Sequence, residues 1–523
     1  MWCKMQRGGA PWKRVTCSIP LPEKTVQSVF RSFLLLLIAV PTLVAAQIPA
    51  AEYEARRRQL AAQMDEGVLL VLGAPEPEHD YLPFSQSPAF RYLTGITEAD
   101  AALVVVKRGG RTTELLFVQP RNPLTETWSG LRLGAEGAEQ LTGIDSRTVD
   151  ALEPTLDSLL AAGGPFLMVG DVSGGRDPAL PLSYEQQWLA HLRERRPEMQ
   201  VRNATALVTR MRARKSDAEL ELIRRAVTIT VEAQKDAMRL IAPGINEFEV
   251  QALIEYTFRR YGAERPAFAS IVGSGPNATI LHYNRDDRFM ESDDVVVMDV
   301  GASYAGYAAD VTRTVPVDGT FSAEQRAIYE TVRAAQAAAE SAARVGVTWQ
   351  SVNQAASRTL AEGMAHLGLI ESPDATYDCD AAGERHCPQL GLFYFHGLGH
   401  GIGLDVHDPE QAQLGGGSRI QHGSAFTIEP GIYIRANVLD HLPDTPRNRT
   451  LIAKLRPLVA RYANIGVRIE DDYIVTEGGV EWISHAPREI AEIEALMREQ
   501  YTGPSLRNAE MVDWYRTLRR GGR

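Results

Sequence analysis

The run VVVMDVGASYAGYAADVTRT, residues 295–314, puts an aspartate on each side of a tight turn. Val295-Val296-Val297-Met298 reads as a buried strand closed by Asp299. The connection Ser303 to Tyr307 is short, and Asp310 opens the strand after it. Two antiparallel strands joined this way bring both carboxylates to one place. A single aspartate at a strand end is ordinarily a turn former. Two of them inside extended apolar sequence are costly to bury unless a cation compensates their charge.

Three further segments add to this pair. FHGLGHGIGLDVHD (395–408) holds His396, His400 and His407, three of the eleven histidines of the chain. Its four glycines disfavour a helix and let backbone approach a ligand closely. TIEPGIYI (427–434) sets Glu429 at a strand end before Pro430-Gly431. In GVRIEDDYIVT (466–476), Arg468 and Glu470 alternate with apolar residues and so share one face. Each of these alone reads as loop or surface. Together Asp299, Asp310, His400, Glu429 and Glu470 offer four carboxylates and one imidazole, a donor set suited to two divalent cations side by side. Such a pair lowers the pKa of a bridging water towards neutrality, which is hydrolase chemistry.

At 523 residues the chain exceeds one ordinary core, and two domains are expected. GVLLVLGA (67–74), ALVVVKR (102–108), ELLFVQP (114–120) and PFLMVGD (165–171) read as strands between helical stretches such as Ser183 to Arg193. That predicts an α/β domain over 47–210, with no phosphate loop and no nucleophile elbow. Over 211–500, Ser216-x-x-Glu219 is a capping box opening a long helix to about Ile241, and Asn246-x-x-Glu249 opens another. After a strand-rich block (268–317), Ser322-x-x-Gln325 and Thr348 open a second helix pair. Helix, helix, strands therefore occurs twice, which suggests two related halves with a site where they meet. The tail, 501–523, is expected to be partly mobile.

These segments resemble the metallopeptidase family that contains methionine aminopeptidases, prolidases and Xaa-Pro aminopeptidases, with all five ligand types in family order. SPAFRYLTGITEADAALVVV (87–106) resembles the N-terminal domain of its larger members. The resemblance implies an α+β chain: a C-terminal pita-bread (creatinase/aminopeptidase) fold with a pseudo-twofold repeat, preceded by a smaller α/β creatinase-like N-terminal domain. It further implies that Asp299 chelates one metal ion, that Asp310 and Glu470 bridge two, and that His400 and Glu429 complete the second. Manganese is the usual metal of the family. His282 (in LHYN), His396 and His407 would bind substrate or handle protons, Glu429 would pass a proton to the leaving nitrogen, and Arg468 would orient Glu470. The implied reaction is hydrolysis of an N-terminal Xaa-Pro bond through a metal-bridging hydroxide. The large first domain argues against a methionine aminopeptidase. Intact ligands argue against creatinase and against a non-catalytic binding module of the same fold. Xaa-Pro aminopeptidase and prolidase remain, and HAPREIAEIEALM (485–497) resembles the former more. Family members are commonly dimers or tetramers, so a homo-oligomer is implied. Two features depart from the simplest family pattern, the Cys379–Cys387 loop and the insert Ala436 to Asn464, and both are expected near the mouth of the site.

A formal charge of −11 argues against a nucleic-acid-binding surface. FLLLLIAVPTLVAA (33–46), preceded by Lys24 and Arg31, is short for a membrane span and ends in small residues. It reads as a signal peptide over 1–46, with an uncleaved anchor as the alternative. The mature protein is thus expected to be periplasmic or secreted, without a stable membrane span. Cys3 and Cys17 leave with the signal. Cys379 and Cys387 then read as a disulfide in an oxidising compartment; a metal site with His386 is the rival, but CxxC spacing is lacking. Asn203, Asn277 and Asn448 head Asn-x-Thr sequons.

Overall fold

The computed structural model describes residues 47–521 apart from 80, 81, 173–179, 411–413, 415–418 and 506; the expected signal segment, 1–46, lies outside them. Strand β1 (Gly67–Leu72) is buried along its whole length, which is why GVLLVL is a continuous apolar run rather than an alternating one. Around it β2 (Ala102–Arg108), β3 (Arg111–Val118), β4 (Asp145–Thr148), β5 (Phe166–Val169) and β6 (Val201–Asn203) form a mixed sheet in the order β4-β3-β2-β1-β5-β6. Leu69 and Val71 pack on one face with Leu60, Val208 and Met211 from the helices Ala50–Gln63 and Thr205–Arg212. Val68 and Leu70 pack on the other with Leu156 and Leu189 from the helices Leu152–Ala161 and Tyr184–Arg195.

The rest of the fold is built twice from a helix pair and a sheet. After the helices Asp217–Leu240 and Glu247–Arg260 come β7 (Arg265–Pro266), β8 (Ile271–Ser274), β9 (Val295–Val300), β10 (Ala302–Tyr304), β11 (Tyr307–Ala308) and β12 (Val311–Pro316). After Ala323–Ala342 and Trp349–His366 come β13 (Thr376–Asp378), β14 (His386–Pro388), β15 (Ala425–Ile428), β16 (Gly431–Tyr433), β17 (Gly466–Arg468), β18 (Asp471–Thr476) and β19 (Gly479–Trp482). Strands β8, β9 and β12 make one antiparallel sheet, and β15, β18 and β19 make its counterpart. The expected capping boxes are formed at Ser216, Asn246 and Ser322.

A buried glutamine repeats with the halves. Gln234 Nε2 donates to the carbonyls of Met298 (3.0 Å) and Val311 (2.8 Å), tying its helix to β9 and β12. Gln336 Nε2 donates to Asp471 Oδ2 at 2.8 Å and to the carbonyl of Ile469 at 3.3 Å, doing the same for the second half. The turn between β10 and β11 is two residues, Ala305 (φ 49°) and Gly306 (φ 82°), the left-handed pair whose twist matches an antiparallel hairpin.

The halves are stitched along β12. Alternation puts Asp310, Thr312 and Thr314 on one side and Val311, Arg313 and Val315 on the other. On the first side Thr314 Oγ1 donates to the Arg468 carbonyl at 2.9 Å, and the Glu470 amide donates to the Thr312 carbonyl at 3.1 Å. On the other, fully buried Arg313 donates to Asp471 at 2.7 Å and to the carbonyls of Glu470 and Ala486. Asp471 also accepts from Arg488, Trp482 and Ser484. Burial works to raise the Asp471 carboxyl, but Arg313 and Arg488 overcome it and hold the group below the usual carboxylate range.

Cys379 and Cys387 form the expected disulfide, which closes the hairpin β13–β14. The insert folds as a short turn of helix, Val438–His441, and the helix Pro446–Tyr462. The tail carries the helix Ala509–Gly521, which sets Tyr515 edge-on to Phe248 at 5.1 Å. Asn203 is exposed, whereas Asn277 gives its amide to Glu247 and Asn448 is fully buried with its amide donating to the carbonyls of Asp378 and Pro443. Among the described residues no helix is long and apolar enough to cross a membrane.

Removing one member of a buried pair strands the other charge and its carbonyl partners. Arg313→Met is therefore expected to lower the free energy of unfolding by about 3–5 kcal/mol, read from the denaturant midpoint. An unchanged midpoint would mean that Arg488 alone satisfies Asp471.

Candidate metal centre

Register decides where the first two carboxylates go. Thr312 lies opposite Asp299 across β9 and β12, so Asp299 and the side chains of Asp310 and Thr312 face the same cavity. Glu429 follows the last residue of β15, and Glu470 sits between β17 and β18. His400 comes from the glycine-bearing segment, which is tied to β15 because the Thr427 amide donates to the His400 carbonyl at 2.8 Å. The glycines there serve close approach: a Cβ at Gly399 would stand 2.2 Å from the Thr427 carbonyl oxygen, and one at Gly401 would stand 2.2 Å from that of Asp408.

The five side chains converge. His400 Nε2 lies 3.4 Å from Asp310 Oδ2, 3.7 Å from Glu429 Oε1 and 3.8 Å from Glu470 Oε1. Asp310, His400 and Glu470 offer ligand atoms that all lie within 4.8 Å of one another. With Asp299 and Glu429 they line a cavity of about 530 Å³, whose walls include His282, His396, His407 and Arg468.

The donor atoms face the cavity without competing partners. Asp299 Oδ1, Asp310 Oδ1 and Glu470 Oε1 are buried without a hydrogen-bond partner among the described residues. His400 Nδ1 is 3.1 Å from the Gly401 carbonyl, which places the proton there and turns the Nε2 lone pair towards the carboxylates. Burial, then the neighbouring His407, lowers the His400 imidazole to about 4, so the ring is neutral and ready to ligate. Burial, then the charge of Glu470, pushes Asp310 and Glu429 well above the carboxylate range. Burial, then Asp299, raises Glu470 to about 8. Groups that repel one another this strongly, with bare oxygens facing inward, fit a pair of divalent cations.

Arg468 reaches Glu470 indirectly. Its Nη2 donates to Asp299 Oδ2 at 2.5 Å, and it touches Glu470 only through Thr312, whose hydroxyl accepts from Arg468 Nε at 3.3 Å and donates to Glu470 Oε2 at 2.6 Å. Strand alternation does put Arg468 and Glu470 on one face, but the residue between them comes from β12. Arg468 Nη1 also donates to Tyr433 Oη at 2.8 Å, and that hydroxyl is 2.9 Å from His396 Nε2. His396 Nδ1 donates to the Gly397 carbonyl at 2.8 Å, so Tyr433 is the donor to Nε2. Burial, then Arg468, lowers His396 to about 4 and keeps it neutral. The His407 ring lies tilted against that of His400, ring centroids 4.2 Å apart, and His282 stands exposed on the cavity wall.

Several positioning residues escape a reading of the sequence. Tyr433 and Thr312 act across strands. Glu247, fully buried, accepts from the Ser274 amide (2.7 Å), the Arg288 amide (2.8 Å) and Tyr283 Oη (2.9 Å), and so pins both ends of the loop that carries His282. In sequence Glu247 is only a first-turn helix acid. Asp408, beside His407, is held by Arg212 and by Lys215 Nζ at 3.0 Å, which fixes the histidine segment to the link between the domains.

Comparison with known proteins agrees with this geometry. The profile of metallopeptidase family M24 matches residues 221–477, and that of the aminopeptidase P N-terminal domain matches 53–166. The chain is 34% identical to the Xaa-Pro aminopeptidase of Haemophilus influenzae, covering 86% of this chain and 98% of that protein. It is 30% identical to the Xaa-Pro dipeptidase of Homo sapiens, covering 86% and 94%. The solved structure of the Pseudomonas aeruginosa aminopeptidase PepP superposes with a TM-score of 0.71 at 33% identity, covering 86% and 98%.

Without metal, Asp310, Glu429 and Glu470 hold protons more tightly folded than unfolded. Their contribution to stability is therefore complete at acid pH and is lost as pH rises from the ordinary carboxylate range through about 8, the Glu470 value. The gain in melting temperature on adding a divalent cation is expected to grow from about pH 5 to about pH 8, measured by scanning fluorimetry on metal-free and reloaded protein. A gain that stays constant with pH would contradict the cluster.

Proposed function

The chain belongs to metallopeptidase family M24, and on that premise we propose that it is an Xaa-Pro aminopeptidase, releasing the first residue of peptides whose second residue is proline. The observation that carries this reading is the complete donor set at the floor of one cavity, with the neutral His396 and the cavity-facing His282 and His407 around it. Two divalent cations held by these residues, manganese in our reading, would supply Lewis acidity and would acidify water enough to make hydroxide available as a nucleophile near neutral pH. The protein's part is placement. Arg468 fixes Asp299 directly and Glu470 through Thr312. Glu429 stands between His396 and His400, 3.7 Å from each, and takes the proton to the departing nitrogen. His282 and His407 present imidazole donors to the substrate carbonyl as charge develops on it.

A proline nitrogen in an amide has no hydrogen, so a site that accepts it needs no acceptor there and gains from apolar surface instead. Phe268, Ile271 and Leu281 supply that surface. Protein reloaded with manganese is expected to release arginine from Arg-Pro-Pro at least about tenfold faster, in kcat/KM, than it splits Arg-Pro, a difference of about 1.4 kcal/mol. Turnover confined to the dipeptide would replace the reading with a prolidase.

We also propose that the protein is exported, on the strength of the apolar run Phe33–Ala46 and of the disulfide, which suits an oxidising compartment. Mass spectrometry of protein recovered outside the cytoplasm should find an N-terminus near Gln47. Recovery with Met1 in place would defeat this assignment.

A further inference from the structure

The two segments that depart from the family pattern are knitted into one unit. The Asp378 carboxylate, at the end of β13, accepts from Thr445 Oγ1 at 2.6 Å and Arg447 Nη1 at 3.4 Å. The Asp378 amide donates to Asn448 Oδ1 at 3.1 Å, and Asn448 Nδ2 returns a bond to the Asp378 carbonyl at 2.8 Å. The disulfide hairpin and the insert therefore hold a fixed spacing. Between them lies a groove of about 350 Å³, lined by Tyr377 and Cys379 of the hairpin, Val438 and His441 of the insert, and Phe395 and Arg435.

Phe395 and Arg435 connect this groove to residues around the metal centre. Phe395 precedes His396 in the chain and packs on Tyr433, ring centroids 5.4 Å apart. The Arg435 guanidinium lies 5.1 Å from the Phe395 ring centroid, and its Nε donates to the Thr279 carbonyl at 3.2 Å, three residues before His282. Among the described residues no carboxylate pairs with Arg435. An arginine held at two points, with its terminal nitrogens uncommitted, presents a fork matched to a carboxylate. The same charge repels an ammonium group, so this flank suits the departing half of a peptide rather than its N-terminus.

We propose that the groove is a subsite for the C-terminal end of short peptides, in which Arg435 binds the free α-carboxylate and the aromatic lining of Phe395 and Tyr377 takes the side chain next to it. The proposal rests on the aminopeptidase reading and narrows it to peptides of three or four residues with free C-termini. A longer chain would have to carry its backbone past Arg435 and would forgo the ion pair.

The test compares kcat/KM of the manganese-loaded full chain on Xaa-Pro-Yaa and Xaa-Pro-Yaa-Yaa peptides, each as free acid and as C-terminal amide. The native protein is expected to prefer the acid by about tenfold in one of these lengths, through KM. Arg435→Gln should abolish that preference while leaving turnover of the amides unchanged, which also shows that the variant is folded, and Arg435→Lys should restore part of it. Native cleavage of acid and amide at equal rates, or a preference that survives in Arg435→Gln, overturns the subsite and leaves the aminopeptidase reading standing. Turnover restricted to dipeptides overturns both.

Discussion

Four carboxyl groups crowded into one cavity cannot all carry charge without penalty, and most of what surrounds them serves to hold them there. Three of the four are tied to named neighbours. Asp299 is held by Arg468, and Glu470 by Thr312. Asp310 is backed by Asp472, whose Oδ2 accepts the Asp310 amide at 3.0 Å. Behind them the buried Arg313–Asp471 pair locks β12 against β18. The polypeptide thus fixes the geometry first, and the carboxyl groups, which hold protons in the metal-free protein, are placed to give them up to cations. Preorganisation of this kind means that little rearrangement is needed when the cations arrive.

The two-half construction explains why the cluster lies where it does. Asp299 and Asp310 come from the first half, and His400, Glu429 and Glu470 from the second, so neither half has a usable site alone. On one side the seam along β12 is made of backbone and hydroxyl bonds, from Thr314 to Arg468 and from Glu470 to Thr312, and on the other of the buried Arg313 guanidinium, which together fix depth and register. Gln234 and Gln336 then carry the position of the long helices onto the two sides of that seam. A shift of one residue in either sheet would turn its carboxylates to the far face.

Much of this is legible in the chain before folding, for identifiable reasons. Ser216, Asn246 and Ser322 mark helix starts because a capping box is a local device, complete within four residues. Asp299 and Asp310 stand out because charge in an apolar strand needs a cause. Strands β4 and β6 do not stand out: DSRT and VRN are short, polar and at the edges of the sheet, so no apolar pattern betrays them. Tyr433, Thr312 and Glu247 stay hidden for a different reason. Their roles depend on what lies across a sheet or at the far end of a loop, and sequence spacing carries no record of that. The relayed contact from Arg468 to Glu470 shows the limit well: alternation puts the two on one face, and only the third strand reveals the hydroxyl between them.

The burial of Asn448 bears on how the protein can be made. In a eukaryotic secretory host, oligosaccharide is transferred to Asn-x-Thr as the chain enters the lumen, before the helix Pro446–Tyr462 can close over the site. A sugar on that amide nitrogen would remove its donations to Asp378 and Pro443 and would have no room at a position with no solvent exposure. Glycosylated chains would stall short of the native state, so bacterial expression is the compatible route.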